Sequence, residues 1–595
     1  MKNRDEIPVE ATWDLTPLFK DQKAWENALS EVETLLSQIV ANKGRITSGA
    51  KILYETLHTM DTLGIKLEHV AYYARLSFDV DMGNPALKAN YEKLDYLYAR
   101  LSEQLAFYEP ELLQLKPEKF EAYKKELPEL ALYDFMFEKL FQQKDHVLSP
   151  AEEEIISRMS SLAGSFRKIF DDLTVNDLEF PEIIDENGEK IVANEVNYRR
   201  MLSSYNRKDR ENFFKGLLGT YGSHINSLTS TLLGNIKNEV FMARTRKYSS
   251  SREMALKANF IPIEVYDTLI NTVRQNVEPL QNYLELRRKT LGYQDLHFYD
   301  LFVPLVANIN KKYSFEEAKD IVLTALKPLG EEYITDLKQA FEQRWVDIYP
   351  NKGKVSGAYA AGIYDLHPYS LLNFTGTPED LFTMAHELGH VMHSYYSNKH
   401  QPYVDSDYVI FTAEVASTVN EYLLYRYLLE IAESKDEKCY LLSTHLDSIR
   451  STLYRQAFFA DFEMQLHDMV EKDIPLTPDT LCDKYRSLYD YYHGSGFTVD
   501  QELTYEWARI PHFYSSFYVY QYATGISAAI ALAKPIYEKK VGCKEAYLNF
   551  LKQGGSDYPL NLLKEAGVDM STSAPVELAI EDFALTLSQL EEKLQ

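Results

Sequence analysis

From Gln22 to about Phe170, apolar residues recur every third or fourth position, a spacing that predicts successive amphipathic helices. In one of them Leu94, Leu97, Leu101, Leu105 and Tyr108 share a face, and the pattern stops before Pro110. The rhythm changes between Phe180 and Val192, where FPEII and KIV flank Asn187-Gly188, the residues of a tight hairpin turn. A domain boundary is expected there, with residues 1–185 as a helical amino-terminal domain and 186–595 as the remainder. Helical spacing resumes near Asn197 and runs through Phe341. Between Trp345 and Thr377, four glycines separate the β-prone runs WVDIY, GAYA and YSLLNF, which predicts a small sheet inserted into a helical body.

Composition narrows this picture. A chain of 595 residues exceeds what one hydrophobic core usually organises, so two or more lobes are expected. Only 24 Gly and 22 Pro are present, few helix breakers for that length, in keeping with a mostly helical chain. The net charge of -26 argues against a nucleic-acid partner, because binding phosphate backbones requires clustered Lys and Arg. Three scattered cysteines, Cys439, Cys482 and Cys543, build neither a disulfide framework nor a thiolate metal site and imply a reducing compartment. The first residues carry charges where a secretory signal has its apolar core, and no apolar run approaches a membrane span. A cytoplasmic protein without a membrane partner is expected.

The candidate chemistry lies in TPEDLFTMAHELGHVMHSYYS. Thr377 is a helix N-cap, Pro378 suits the first helical position, and Glu379 and Asp380 face the positive helix end. Within that helix His386-Glu387-Leu388-Gly389-His390 is the His-Glu-x-x-His pattern of zinc hydrolases. Four residues make about one turn, so both imidazoles project from one face, roughly 6 Å apart, and can share a zinc. Glu387 is then held beside the metal and its bound water. The bland alternative is a solvated histidine pair on a helix surface.

A catalytic zinc needs a third protein ligand and an open position. Tyr396 stands where a third histidine of the extended motif would fall, which closes that option. The helix FTAEVASTVNEYLLYRYLLEIAE supplies Glu414, set among the small apolar residues Ala413, Val415 and Ala416, where an unpaired carboxylate is costly. Glu414 is the expected third ligand. Glu421, two turns on, either orients a ligand histidine or forms an ordinary salt bridge. His393, one turn past His390, either supports a ligand from behind, faces the substrate side or serves packing. Further on, the aromatic segment from Tyr505 to Gly525 offers His512, with Tyr518 and Tyr522 one helical turn apart, as donors to a developing oxyanion; the alternative is an aromatic stripe in a core.

HELGHVMH, AEVAST and IPHFYSSFYVYQYATG together resemble the oligoendopeptidase F branch of the thimet oligopeptidase-like metallopeptidases. WDLTPLF and HPYSLLNFTGTPEDLFTMAHELGH are similar to the same branch, so the resemblance covers nearly the whole chain. It implies a mainly α, two-lobed ellipsoid enclosing a deep channel, with a small β-sheet beside one zinc per chain. It also implies that residues 186–595 form the catalytic domain and that oligopeptides are cut at internal bonds. Residue by residue, it places the ligands on His386, His390 and Glu414, the general base on Glu387 and a substrate-contacting histidine on His512. The family's two tyrosines fall five and nine residues past that histidine, where this chain has Phe517 and Gln521, while Tyr518 and Tyr522 keep the spacing after a shift of one. The resemblance further suggests that the strand around Tyr369, Leu371 and Asn373 lines the cleft and pairs with extended substrate.

The implied mechanism is attack on a peptide carbonyl by zinc-bound water, with Glu387 carrying the proton to the leaving amine. Two rivals remain at this point. An exopeptidase would need a fixed charge for a peptide terminus, which Arg509 could supply, though it could equally brace a loop. A peptide-binding protein with structural zinc would close all four metal positions, and no cysteine lies near the cluster.

Overall fold

The computed structural model describes residues 2–306 and 311–595. Its architecture is mainly helical, with short strands only. Residues 307–310, part of the stretch expected to be helical, lie outside the described residues. Contacts gather the chain into two units, each assembled from three stretches: Met1–Asp145, Lys311–Tyr427 and Leu532–Gly567 in the first, and His146–Asn310, Leu428–Ala531 and Val568–Gln595 in the second. The 185/186 boundary read from the hairpin signal falls inside the second unit.

In the first unit, helix Gln22–Val40 starts where the Asp21 carboxylate accepts the Ala24 N–H at 2.8 Å. Its apolar face, with Trp25, Val32, Leu36 and Ile39, packs against Leu63, Val70 and Ala74 and against Leu94, Leu97 and Leu101 of helix Pro85–Leu105. Each fully buried leucine contributes about 1.5–3 kcal/mol by leaving water. The leucine repeat thus forms a helix as expected, ending at Leu105; Pro110 sits in a separate short helix, Tyr108–Leu112.

A second core in this unit joins the amino-terminal segment to the sheet. Trp13 and Leu18 pack with Leu76, Val80, Ala361, Ile363, Tyr369 and Leu371. The sheet has three strands, with Tyr369–Leu371 in the centre, Val346–Asp347 parallel to it on one side and Tyr359–Ala361 antiparallel on the other. At one end the buried Asp347 is neutralised by Lys354 at 2.7 Å and Arg4 at 2.9 Å. Such pairing is what allows a carboxylate to be buried.

In the second unit the predicted hairpin is present: Glu182–Ile184 pairs antiparallel with Lys190–Val192, and Gly188 takes φ +79° at the turn. The same unit holds a buried ionic network around Glu506. Its carboxylate accepts from Arg455 at 2.5 Å, Tyr485 at 2.8 Å and Tyr489 at 2.6 Å.

Candidate metal centre and active site

Helix Pro378–His400 begins as its sequence dictates. The Thr377 hydroxyl accepts the Asp380 N–H at 3.3 Å, and the Asp380 carboxylate accepts the Thr377 N–H at 2.9 Å. Leu381, Met384, Ala385, Leu388, Val391 and Met392 are buried along it, which sets the rotation at which the histidines emerge.

Helix Ile410–Ile431 approaches this helix very closely, and Gly389 is the reason it can. A Cβ at that position would lie 2.5 Å from the Ser417 Cα and 2.7 Å from the Ala416 carbonyl oxygen. Glycine in a helix interior costs about 1 kcal/mol relative to alanine, so its presence inside the motif has a packing cause. Asn420, fully buried, locks the approach by donating to the Ala385 carbonyl at 3.0 Å. Sequence reasoning missed both roles. The signal for Gly389 was a helix-breaking residue in the middle of a strong helix; Asn420 had none.

The close approach converges three donors. The Nε2 atoms of His386 and His390 are 3.2 Å apart, and Glu414 Oε2 lies 3.5 Å and 3.7 Å from them. Ligands about 2.0–2.1 Å from a tetrahedral zinc are about 3.3 Å from one another, so the set fits a metal ion without rearrangement. It is also the only group of three such donors that could hold an ion among the described residues. Glu421 takes the orienting option: its Oε1 lies 2.6 Å from His386 Nδ1, so that nitrogen is occupied and Nε2 faces the other donors.

Charge follows from this packing. Burial disfavours a proton on His386, but the hydrogen bond and charge of Glu421, with Glu387 and Glu414, raise its pKa to about 9. His390 is lowered, first by burial and then by His386. Glu387, 7% exposed, is pushed up to about 7 by burial, with Glu414 and Glu421 adding to the shift and His386 opposing it.

The remaining candidates divide. His512, Tyr518 and Tyr522 gather in the second unit, with His512 6.2 Å and 6.1 Å from the two tyrosine rings and those rings 5.5 Å apart. Phe517 and Gln521 are buried, whereas Tyr518 and Tyr522 are half-buried and His512 is exposed. The one-residue shift therefore has a structural counterpart: 518 and 522, not 517 and 521, share a face with the histidine.

The residues expected to contact substrate lie mostly in buried or paired positions. Tyr369 and Leu371 are fully buried, and the Tyr369 hydroxyl donates to the Asp14 carbonyl at 2.7 Å. Their strand is the central one, with both hydrogen-bonding edges taken by neighbours, so it has no free edge for an extended peptide. Asn373 spends its amide on the Val355 and Gly357 carbonyls at 3.0 Å and 2.8 Å. His393 takes the packing option: it is 1% exposed, stacked 3.7 Å from the Tyr408 ring, and burial lowers its pKa to about 3. Arg509 is the brace, bound through Nε and Nη2 to Glu195 at 2.8 Å and 2.5 Å and set over the Tyr198 ring.

Known proteins resemble this chain along nearly its whole length. The description "Peptidase family M3" matches residues 200–582, and "Oligopeptidase F" matches residues 111–180. The chain is 41% identical to Oligopeptidase PepF of Bacillus subtilis over 594 residues, covering 100% of this chain and 89% of that protein. A solved structure from Chlamydophila abortus superposes with a TM-score of 0.93 at 38% identity, covering 99% of this chain and 100% of that one. The structure of oligoendopeptidase-F from Enterococcus faecium superposes at 0.76 with 35% identity, covering 96% and 99%. A mainly helical chain with these relatives and a two-histidine, one-glutamate cluster is a metallopeptidase. It belongs to peptidase family M3.

Proposed function

We propose that this peptidase is a zinc-dependent endopeptidase of the cytoplasm that hydrolyses internal bonds of short oligopeptides, with residues 186–595 as its catalytic part and one zinc per chain. The observation that carries the reading is the convergence of His386 Nε2, His390 Nε2 and Glu414 Oε2 at ligand separations, with Glu387 next to the first ligand. Zinc held by these three residues would act as a Lewis acid toward a water molecule and the scissile carbonyl.

The chain's own residues do the rest. Glu387 accepts a proton from the attacking water as the new C–O bond forms, then returns it to the amide nitrogen as the C–N bond breaks. Glu421 keeps His386 in the tautomer with Nε2 free. His512, with Tyr518 and Tyr522 beside it, is assigned the donors that meet the developing oxyanion. Backbone pairing with an extended peptide requires a sheet edge. The edge strand Tyr359–Ala361 is therefore the better candidate for it than Tyr369–Leu371.

The names of the relatives support oligopeptides as the substrate class and internal cleavage as the mode. Arg509, already paired in two places with Glu195, speaks against the exopeptidase rival. Three unpaired cysteines suit a reducing compartment, and no helix among the described residues is long and apolar enough to cross a membrane. The decisive experiment is digestion of an internally quenched peptide with blocked termini, with the products identified by mass spectrometry before and after chelation. Internal fragments whose release stops on chelation and returns with zinc are expected; terminal trimming, or turnover indifferent to chelation, would overturn the reading.

A further inference from the structure

The segment that carries His512, Tyr518 and Tyr522 turns sharply at Phe517, whose backbone lies in the left-handed region at φ +57°. A bulky residue adopts that conformation only where its surroundings hold it there. The holding contact is Glu463, in the middle of helix Arg455–Glu471. Its Oε1 accepts the Phe517 N–H at 2.8 Å. The Phe517 ring is clamped beside this hydrogen bond, 4.5 Å from the His467 ring and 5.7 Å from that of Tyr266.

Glu463 is an expensive way to secure a turn. It is 3% exposed, its second oxygen finds no partner among the described residues, and the charge of another carboxylate, Glu239, adds to the effect of burial on it. Burial pushes its pKa up to about 8, so near neutral pH it is largely protonated and holds the amide as an uncharged acceptor. A buried carboxyl with one oxygen unpaired costs free energy, so its retention at this position calls for a reason. What it holds is the residue before Tyr518, and Tyr522 follows four residues later, in the first turn of helix Tyr520–Tyr537.

We propose that Glu463 is a positioning residue for the peptidase reaction: by holding the Phe517 amide it maintains the left-handed turn that presents Tyr518, and with it Tyr522, on the face occupied by His512. The proposal rests on the reading of Tyr518 as a donor to the oxyanion. Without the acceptor, the Phe517 backbone relaxes toward an ordinary conformation, and the tyrosine leaves its place while remaining in the protein.

The test uses the full-length, zinc-loaded protein and an internally quenched peptide with blocked termini. Glu463→Gln keeps an oxygen acceptor, and Glu463→Met removes it at similar volume. Tyr518→Phe and the double variant Glu463→Met/Tyr518→Phe complete the cycle, with circular dichroism and thermal unfolding as folding controls. Removing a well-placed donor lowers kcat by about 10²–10³-fold, and losing only its placement costs part of that, so Glu463→Met should lower kcat by about 10–100-fold. KM should stay within about threefold, since a transition-state contact alone is lost. Glu463→Gln should stay within about twofold of wild type, and the double variant should be no slower than the slower single one. Normal kcat in Glu463→Met, losses that multiply in the double variant, or a Glu463→Gln variant as slow as Glu463→Met would each overturn the proposal. Full activity in Tyr518→Phe would instead remove the underlying reading of that tyrosine, and the two failures are thereby told apart. If Glu463→Met does not fold, Glu463→Asp keeps the acid but draws the oxygen back by one methylene, and it must show the same kcat loss at unchanged KM.

Discussion

Glu387 and Glu506 are both glutamates on largely helical backbone, and both are withdrawn from water, at 7% and 0% exposure. Their carboxyls are nevertheless displaced in opposite directions. Burial dominates at Glu387 and lifts it to about 7. At Glu506 burial pushes upward too, but Arg455, Arg509 and Tyr489 outweigh it and hold the group below the usual carboxylate range. Burial alone therefore says little about what a carboxyl does; the donors around it decide. Surrounded by donors, it is held ionised, and when burial and neighbouring acids rule, it keeps its proton to higher pH.

The sharpest way to break this contrast is Glu387→Gln, which keeps shape and removes the proton carrier. Turnover of a blocked quenched peptide should fall by about 10²–10⁴-fold, the usual contribution of general acid–base catalysis. Metal content should stay unchanged, and the melting temperature should be no lower than that of wild type. Turnover at the wild-type rate would place Glu387 with the structural carboxylates.

Glu421→Gln tests the support of the metal cluster at one remove. Residues that orient a metal-bound histidine are worth about 10–100-fold in metal affinity. The variant should lose zinc to a competing chelator at correspondingly lower chelator concentration while its far-ultraviolet circular dichroism is unchanged. Zinc retention equal to wild type would return Glu421 to the status of an ordinary ion pair.

Gly389→Ala probes the helix contact that gathers the cluster. The added methyl has backbone of the neighbouring helix at 2.5 Å, so the helices must part despite the better helix propensity of alanine. Overpacking of this kind costs about 1–3 kcal/mol, which lowers the urea midpoint of unfolding, and zinc affinity should fall with it. A more stable variant with unchanged zinc affinity would show that the approach is not what assembles the ligands.

Glu506 should respond the other way. Glu506→Gln should lower stability while leaving kcat and KM of the folded protein near wild type. The sign with pH follows from the depressed folded value. The stability Glu506 contributes is present above its unfolded pKa of about 4.3 and is lost as pH falls through the lower folded value. The gap in unfolding midpoint between wild type and Glu506→Gln should therefore narrow on acidification below about pH 4. A gap that stays constant with pH would mean that packing, not charge, is what Glu506 contributes, and this is the smallest of the expected effects.

By itself the sequence determined the elements whose causes are local. The cap at Thr377, the proline after it and the four-residue spacing of His386 and His390 lie within one short stretch, so the helix and the shared face of the two histidines were both legible. The hairpin turn at Asn187-Gly188 and the three short strands after Trp345 were legible for the same reason. What only the tertiary structure decided depends on residues far apart in the chain. Glu421 orients His386 because Gly389 lets two helices touch. Tyr518 and Tyr522, and not Phe517 and Gln521, share the side of His512 because a left-handed turn caught by Glu463 rotates the segment. The strand at Tyr369 turned out to be central and buried because Val346–Asp347 and Tyr359–Ala361 pair on either side of it and Trp13 covers it. Spacing along a helix is a property of the local backbone. Which face meets solvent, which edge stays unpaired and which acid keeps its proton are set by partners that no local pattern names.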